Sequence, residues 1–543
     1  MELWQKWFSQ KENRTVFWLL AGGLLLRGMI ALWLYPGFDE AYYYLYTVYP
    51  NLSYFDHPPL VALTTGLGIG LTGVVSQFTI RLGPLLLYTG TLVLLYLTAI
   101  RLFSRRAAVL TLAIVTFVPF FLVGVGTLTV PDGPLMFGWT ATLYVAAIEF
   151  FQKTPEGESE PYRPTYRLAI ISVLVGIACL GKYHGFLLGA GLVGFCLTSP
   201  RCRAAFRSPW LLLGFVLFLM TISPMLIWNA QHHWASFTFQ SSRSIPDRGY
   251  RLLDLLATFL GHVAYLFPTF GFAIWWVTGL SIRTQVARLF SRETIVEPLL
   301  LEKQALILWV SLPIMLGFTL MGGYRQVLPS WPMPGFWGMT LLLGERAVRW
   351  QMGAPKTMRR WWQGSAIVVV TILTIALSHV ALGTVQKPSQ YAIWSVWPPK
   401  EDPSTQLIDV EQLRQGFVKS PELKAALDQA TFVVTNRFFV GGQVAMALIP
   451  ISNKPVTVFN EDPRGFAFWE DSADWLGKDG LYVTSQLFQE GEDVMQTYSP
   501  YFESLQKIGE VPILRGGATI VIFDVYSAKK LQKPYAYPAG LLK

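Results

Sequence analysis

The stretch Val16-Phe-Trp-Leu-Leu-Ala-Gly-Gly-Leu-Leu-Leu-Arg27-Gly-Met-Ile-Ala-Leu-Trp-Leu-Tyr-Pro-Gly37-Phe-Asp39-Glu40-Ala-Tyr-Tyr-Tyr44 decides the fold. Its apolar run has the length of a helix that crosses a bilayer, which takes roughly 17–25 residues. It gives way at once to an acidic, aromatic loop. A second piece of that loop, Tyr54-Phe-Asp-His-Pro-Pro-Leu60, adds Asp56 and His57. Carboxylates at a bilayer boundary are costly to desolvate and are kept where water, a cation or a reacting group faces them. The pattern predicts a first span over 15–35 and a functional outside loop over 36–79.

Working outward, further apolar runs near 80–100, 107–126, 134–151, 168–181, 185–198, 210–228, 257–279, 305–321, 333–344 and 362–382 bring the expected total to about 11 transmembrane helices. Composition agrees. The 543-residue chain is 52% hydrophobic and 14% charged, against about 25% charged in an average soluble domain. The net charge of +9 does not imply nucleic acid, because Lys and Arg of membrane proteins gather in cytoplasmic loops. With a cytoplasmic N-terminus, the inside segments 101–106, 153–167, 201–207, 283–303 and 346–360 are all basic. The loops 36–79 and 229–256, and everything after the last span, then lie outside. The polar start, 1–14, and the lack of a small-residue cleavage pattern predict that the first span is retained.

Charge also divides the chain. From residue 385 onward there are 15 of the 43 Lys+Arg and 18 of the 34 Asp+Glu, so the tail is mildly acidic and the part before it strongly basic. Within the tail, 409–430 and 442–449 read as helices and 431–435, 455–459, 481–484 and 518–523 as strands. Short strands alternating with helices predict a soluble α/β domain over 385–543, following a transmembrane domain over 1–384. The cysteines, Cys179, Cys196 and Cys202, lie in or beside apolar runs, so no disulfide framework is expected in the tail and no Cys-based zinc site anywhere.

Several residues carry candidate chemistry. Asp39 with Glu40 suits a general base, which must take a proton from an attacking hydroxyl or amine; the alternative is a helix cap. Asp132, in Pro131-Asp-Gly-Pro134, is a further outside carboxylate or an ordinary turn residue. Asp56 and His57 either face substrate or stiffen a Pro-Pro loop. Arg81, Lys182 with His184, and Arg325 sit at the expected outer boundary, where topology disfavours gratuitous cations and a departing phosphate would want them. Arg27, inside the first span, reads as structural. His232 and His233 could join Asp56 at a metal, but adjacent histidines rarely ligate one ion, so no metal is assigned.

Together these residues resemble a known family. Asp39-Glu-Ala-Tyr-Tyr43, then Tyr54-Phe-Asp-His-Pro-Pro-Leu60, then Pro131-Asp132 are similar to the bacterial relatives of protein O-mannosyltransferases, in glycosyltransferase family 39. Trp228-Asn-Ala-Gln-His-His-Trp234 and Leu328-Pro-Ser-Trp-Pro-Met-Pro334 extend the resemblance. It implies the GT-C membrane fold shared with lipid A aminoarabinose transferases, and transfer of a sugar from a polyprenyl-phosphate carrier to a lipid, glycan or protein acceptor on the outer face of a bacterial plasma membrane. Asp39 falls on the catalytic aspartate, with Glu40 beside it and Asp132 on the second acidic position. Asp56, His57, Arg81, Lys182, His232 and Arg325 become donor- or substrate-binding candidates, Arg325 foremost. His57 stands where the aminoarabinose transferases have Lys, and Ser330 where close relatives have His. No cofactor is required by such chemistry, and a divalent metal stays an open alternative. The rival reading is a transporter or flippase of a lipid-linked molecule, which should show related halves and midplane polar groups; a carrier-lipid scaffold without catalysis is a third.

Overall fold

The computed structural model describes residues 10–152, 162–290, 298–488 and 493–538. The expected inside segments 1–14, 153–167 and 283–303 therefore fall partly outside the described residues.

Helices occupy every expected span, but they do not all meet the demands of a bilayer alone. Lys11–Trp33, Thr79–Leu102, Pro209–Gln231, Pro298–Met321 and Pro355–Leu382 are each long enough, and five stretches in these helices are apolar enough to cross. The expected span over 257–279 is broken. Helices Leu252–Tyr265 and Pro268–Phe290 meet across a sharp bend, 115° between their apolar parts, with Phe267 at φ 69°. Pro268, which cannot donate to the preceding turn, marks the break. The run 107–126 ends its α-helix at Phe117 and continues as a π-helix, Phe120–Val125. Arg27 is buried in the first helix, donating to Thr89 at 3.1 Å with its guanidinium 5.0 Å from the Tyr88 ring centre. That is the structural role expected of it.

The loop between the first two long helices is mostly helical. Phe38–Val48 and Leu60–Thr72 flank the extended piece that carries Asp56 and His57. Helix Phe38–Val48 starts where Pro36-Gly37 ends the extended chain, and the Gly37 N–H donates to Glu40 at 3.2 Å.

The C-terminal region holds a five-stranded mixed sheet. Its strands are β1 Phe432–Thr435, β2 Val456–Val458, β3 Gly480–Ser485, β4 Phe502–Arg515 and β5 Ala518–Leu531, in spatial order β2-β1-β3-β5-β4. β1 pairs in parallel with β2 and β3, while β5 runs antiparallel to β3 and β4. β4 is not among the expected strands. The expected helix over 409–430 is two, Val410–Lys419 and Pro421–Gln429, because Ser420 caps a new helix that Pro421 opens. Helix Phe438–Ser452 extends the expected 442–449 at both ends.

This region does not stand apart from the membrane helices. Helix Phe438–Ser452 lies on helix Phe38–Val48, and the two bury one apolar cluster that includes Tyr42, Tyr46, Val440 and Val444. A Cβ on Gly442 would come within 2.7 Å of the Tyr42 backbone nitrogen, so only glycine permits so close a crossing.

Candidate active site

The largest functional clue is a cavity of about 750 Å³ where the loops 36–79 and 229–256, the ends of the long apolar helices and the C-terminal region meet. Asp39, Asp56, His57, Asp132 and Lys182 line it, together with Arg243 and Arg464. One flank is apolar, formed by Phe186, Leu187, Phe318, Met321 and Leu328.

Asp39 and Glu40 are neighbours with opposite surroundings. The Asp39 carboxylate opens onto the cavity and has no hydrogen bond or ion pair among the described residues. The surrounding protein and the Asp56 charge raise its pKa above the usual carboxylate range. Glu40 is 2% exposed and fully engaged. It accepts from Arg81 at 2.8 and 2.6 Å and from the Thr129 N–H at 2.9 Å. Arg81 also donates to the Ala31, Leu34 and Tyr35 carbonyls at 3.0, 2.5 and 3.2 Å, closing the end of the first long helix. This corrects two assignments: Glu40 and Arg81 lie away from the cavity and form a buried clamp that fixes where helix Phe38–Val48 begins.

Asp56 accepts from Tyr42 at 3.1 Å and from Tyr46, and its other oxygen lies 4.0 Å from Arg464. Burial is the main reason its pKa is raised, against the lowering by Arg464 and the tyrosines. His57 is buried, its Nδ1 has no partner, and desolvation together with the Lys182 and Arg243 charges pushes its pKa well down. Asp132 opens helix Asp132–Phe150 and holds Lys182 through both oxygens, at 3.0 and 2.9 Å.

Two further candidates lie outside the cavity lining. His232 stacks on Trp228 with ring centres 4.1 Å apart, bonds the Trp228 carbonyl at 2.7 Å and packs edge-on against Phe468. Arg325 donates to the Ser242 and Ile245 carbonyls at 3.1 and 2.9 Å, bracing the segment that carries Arg243. Direct substrate contact is thus corrected to support for both.

The cations that do face the cavity include two that no sequence argument selected. Arg243 has no hydrogen bond or ion pair among the described residues. It lies over Phe239 and Trp331, 4.8 and 5.5 Å from the ring centres. Arg464 reaches in from the C-terminal region. In sequence, Asp462-Pro-Arg-Gly465 is an ordinary exposed turn, and no local signal distinguishes it. Arg243 stands in a segment of aromatic and imidazole groups, and that setting was a usable cue.

Residues 56–228 match the family described as dolichyl-phosphate-mannose-protein mannosyltransferase. The chain is related to that family. It is also 25% identical over 312 residues to the lipid A galacturonosyltransferase RgtD of Rhizobium johnstonii, covering 56% of this chain and 59% of that protein. The match therefore spans about three-fifths of the curated relative's length. Among solved structures, apo ArnT of Cupriavidus metallidurans aligns with a TM-score of 0.57 and 13% identity, over 93% of this chain and 97% of that one. The fold of this chain is accordingly GT-C, as in that structure, with a sheet-containing C-terminal domain.

Proposed function

We propose that this protein is an integral-membrane glycosyltransferase that moves a sugar from a polyprenyl-phosphate carrier to an acceptor on the extracytoplasmic face. The observation that carries the reading is the unpaired Asp39 carboxylate facing the same cavity as Lys182 and Arg243. The family and the curated relative support it. The relative's name points to lipid A as acceptor and a uronic acid as sugar; among lipid, glycan and protein acceptors, a lipid is the one we favour.

The chemistry needs one base and one cationic cradle. Asp39 takes the proton from the acceptor hydroxyl or amine as it attacks the anomeric carbon, and the surrounding protein with the Asp56 charge makes it a stronger base than a carboxylate in water. Attack from the side opposite the carrier inverts the anomeric configuration. The bond from anomeric carbon to phosphate oxygen breaks, and the negative charge that builds on the carrier phosphate meets Arg243 and Lys182. Asp132 keeps Lys182 aimed, at the expense of part of its charge. The apolar flank receives the first isoprenes of the carrier. A leaving group that is already a phosphate ester calls for no bound cofactor.

Donor consumption tests this. Purified protein incubated with polyprenyl-phosphate sugars and lipid A should release carrier phosphate, and Asp39→Asn should slow release by roughly 10²–10⁴-fold, the usual loss for a general base, with carrier binding retained. Full turnover by a folded Asp39→Asn protein would refute the base.

A further inference from the structure

Arg464 is held in an unusual pose. Its φ is 52°, a left-handed conformation that non-glycine residues adopt rarely. Such residues persist where the surroundings over-determine them, and they cluster at functional sites. Here the surroundings are specific. The Gly465 N–H donates to the Tyr42 hydroxyl at 2.9 Å, and a Cβ on Gly465 would lie 2.5 Å from the Trp469 ring. The Arg464 Nε donates to both oxygens of Asp462 at 2.8 and 3.0 Å. The guanidinium is then clamped by rings, 4.6 Å from the Phe438 centre and 4.8 Å from that of Phe239.

A residue that only tied the C-terminal domain to the loop would spend its whole guanidinium on protein acceptors. Arg464 spends its Nε on Asp462 and leaves the other edge of the fork open. Among the described residues its Nη groups make no hydrogen bond, and an Asp56 oxygen lies 4.0 Å from Nη1. The free edge of the fork lies in the cavity wall, with the side chain 16% exposed. Arg243 approaches the same Phe239 ring, also at 4.8 Å. Asp462 and Asp56 offset part of the Arg464 charge, but Arg243 has no ion pair of its own among the described residues, and an oxyanion held by both guanidiniums would relieve their mutual repulsion in this partly desolvated cavity. A guanidinium edge matches phosphate or carboxylate geometry with two parallel hydrogen bonds.

We propose that Arg464, supplied by the C-terminal domain, binds an oxyanion of the substrate together with Arg243, so that the cavity is complete only when that domain is docked. The oxyanion is the carrier phosphate or a carboxylate on the transferred sugar. The proposal takes the substrate's identity from the transferase reading, but the binding event does not depend on turnover.

Full-length protein in nanodiscs provides the test. Binding of a sugar-free polyprenyl phosphate is measured for wild type, Arg464→Gln and Arg464→Lys, with limited proteolysis reporting whether the C-terminal domain stays docked. If the phosphate is the ligand, Arg464→Gln weakens binding by about tenfold to a hundredfold, the equivalent of one charged hydrogen bond. Arg464→Lys, which keeps the charge and loses the fork, recovers part of it. If carrier affinity holds but KM rises for a uronosyl donor and not for a neutral hexosyl donor, the sugar carboxylate is the ligand. Should Arg464→Gln undock the domain, Arg464→Lys with a docked domain decides. Unchanged carrier affinity and unchanged donor preference in a docked Arg464 variant overturn the proposal. Absence of turnover by wild type with every donor counts against the transferase reading and leaves the binding arm intact.

Discussion

Removing the Arg81 guanidinium would leave the Glu40 carboxylate buried and three carbonyls at the end of the first long helix without their donor. Breaking a buried pair from one side typically costs about 3–5 kcal/mol. Arg81→Ala should lower the unfolding temperature sharply, and Arg81→Gln should do so less, since it keeps some donors; an unfolding temperature equal to wild type for Arg81→Ala would show that the clamp contributes nothing. Asp39 makes a different demand, on pH. The proposed base must be deprotonated, and the surrounding protein and the Asp56 charge raise its pKa. Transfer should therefore fall on acidification at a pH above the ordinary carboxylate range. Asp56→Asn, which removes the neighbouring negative charge, should move that acid limb to lower pH. A limb that stays put in the Asp56→Asn profile would take the titration away from Asp39.

At the scale of elements, the decisive contact is the crossing of helices Phe38–Val48 and Phe438–Ser452. The first carries Asp39, the proposed base, and the second belongs to the domain that brings in Arg464. Gly442→Ala places a methyl where the Tyr42 backbone already sits, and overpacking of this kind costs about 1–3 kcal/mol. The expected outcome is a lower unfolding temperature and faster proteolysis between the two domains. Gly353→Ala, where a Cβ meets nothing within 4 Å, is the matched control and should change neither. Equal behaviour of the two variants would mean that the crossing is loose.

For the whole molecule, we expect the C-terminal domain and the cavity to share the extracytoplasmic side. The native cysteines are buried, so introduced thiols report cleanly. Lys419→Cys should react with an impermeant reagent in intact spheroplasts, and Arg207→Cys, in a basic connector, only after lysis. The reverse pattern would place the cavity on the cytoplasmic face.

Much of the architecture was legible because bilayer and sheet impose periodic demands. Long apolar runs can only be spans or buried helices, and β1, β2, β3 and β5 announced themselves by Val, Ile and Phe. β4 escaped because Gly509 and Pro512 interrupt it; the spatial order places it at the sheet edge, where proline is tolerated. The broken helix pair around Phe267 was signalled by Pro268 and overridden by hydropathy.

At the site, the sequence alone picked out the acidic loop with Asp39 as a candidate and set Asp132 and Lys182 at the same expected boundary, because a charge beside a span is expensive wherever the chain goes; that Asp132 pairs with Lys182 came from the tertiary structure. Apart from the family resemblance, the sequence could not separate Asp39 from Glu40, since adjacent residues share a hydropathy environment and differ only in where the backbone points them. Tertiary structure alone brought Arg464 to a loop more than 400 residues earlier in the chain. A surface arginine becomes part of a cavity only when another domain packs over it, and that packing is set by helix crossings and glycines with no local signature.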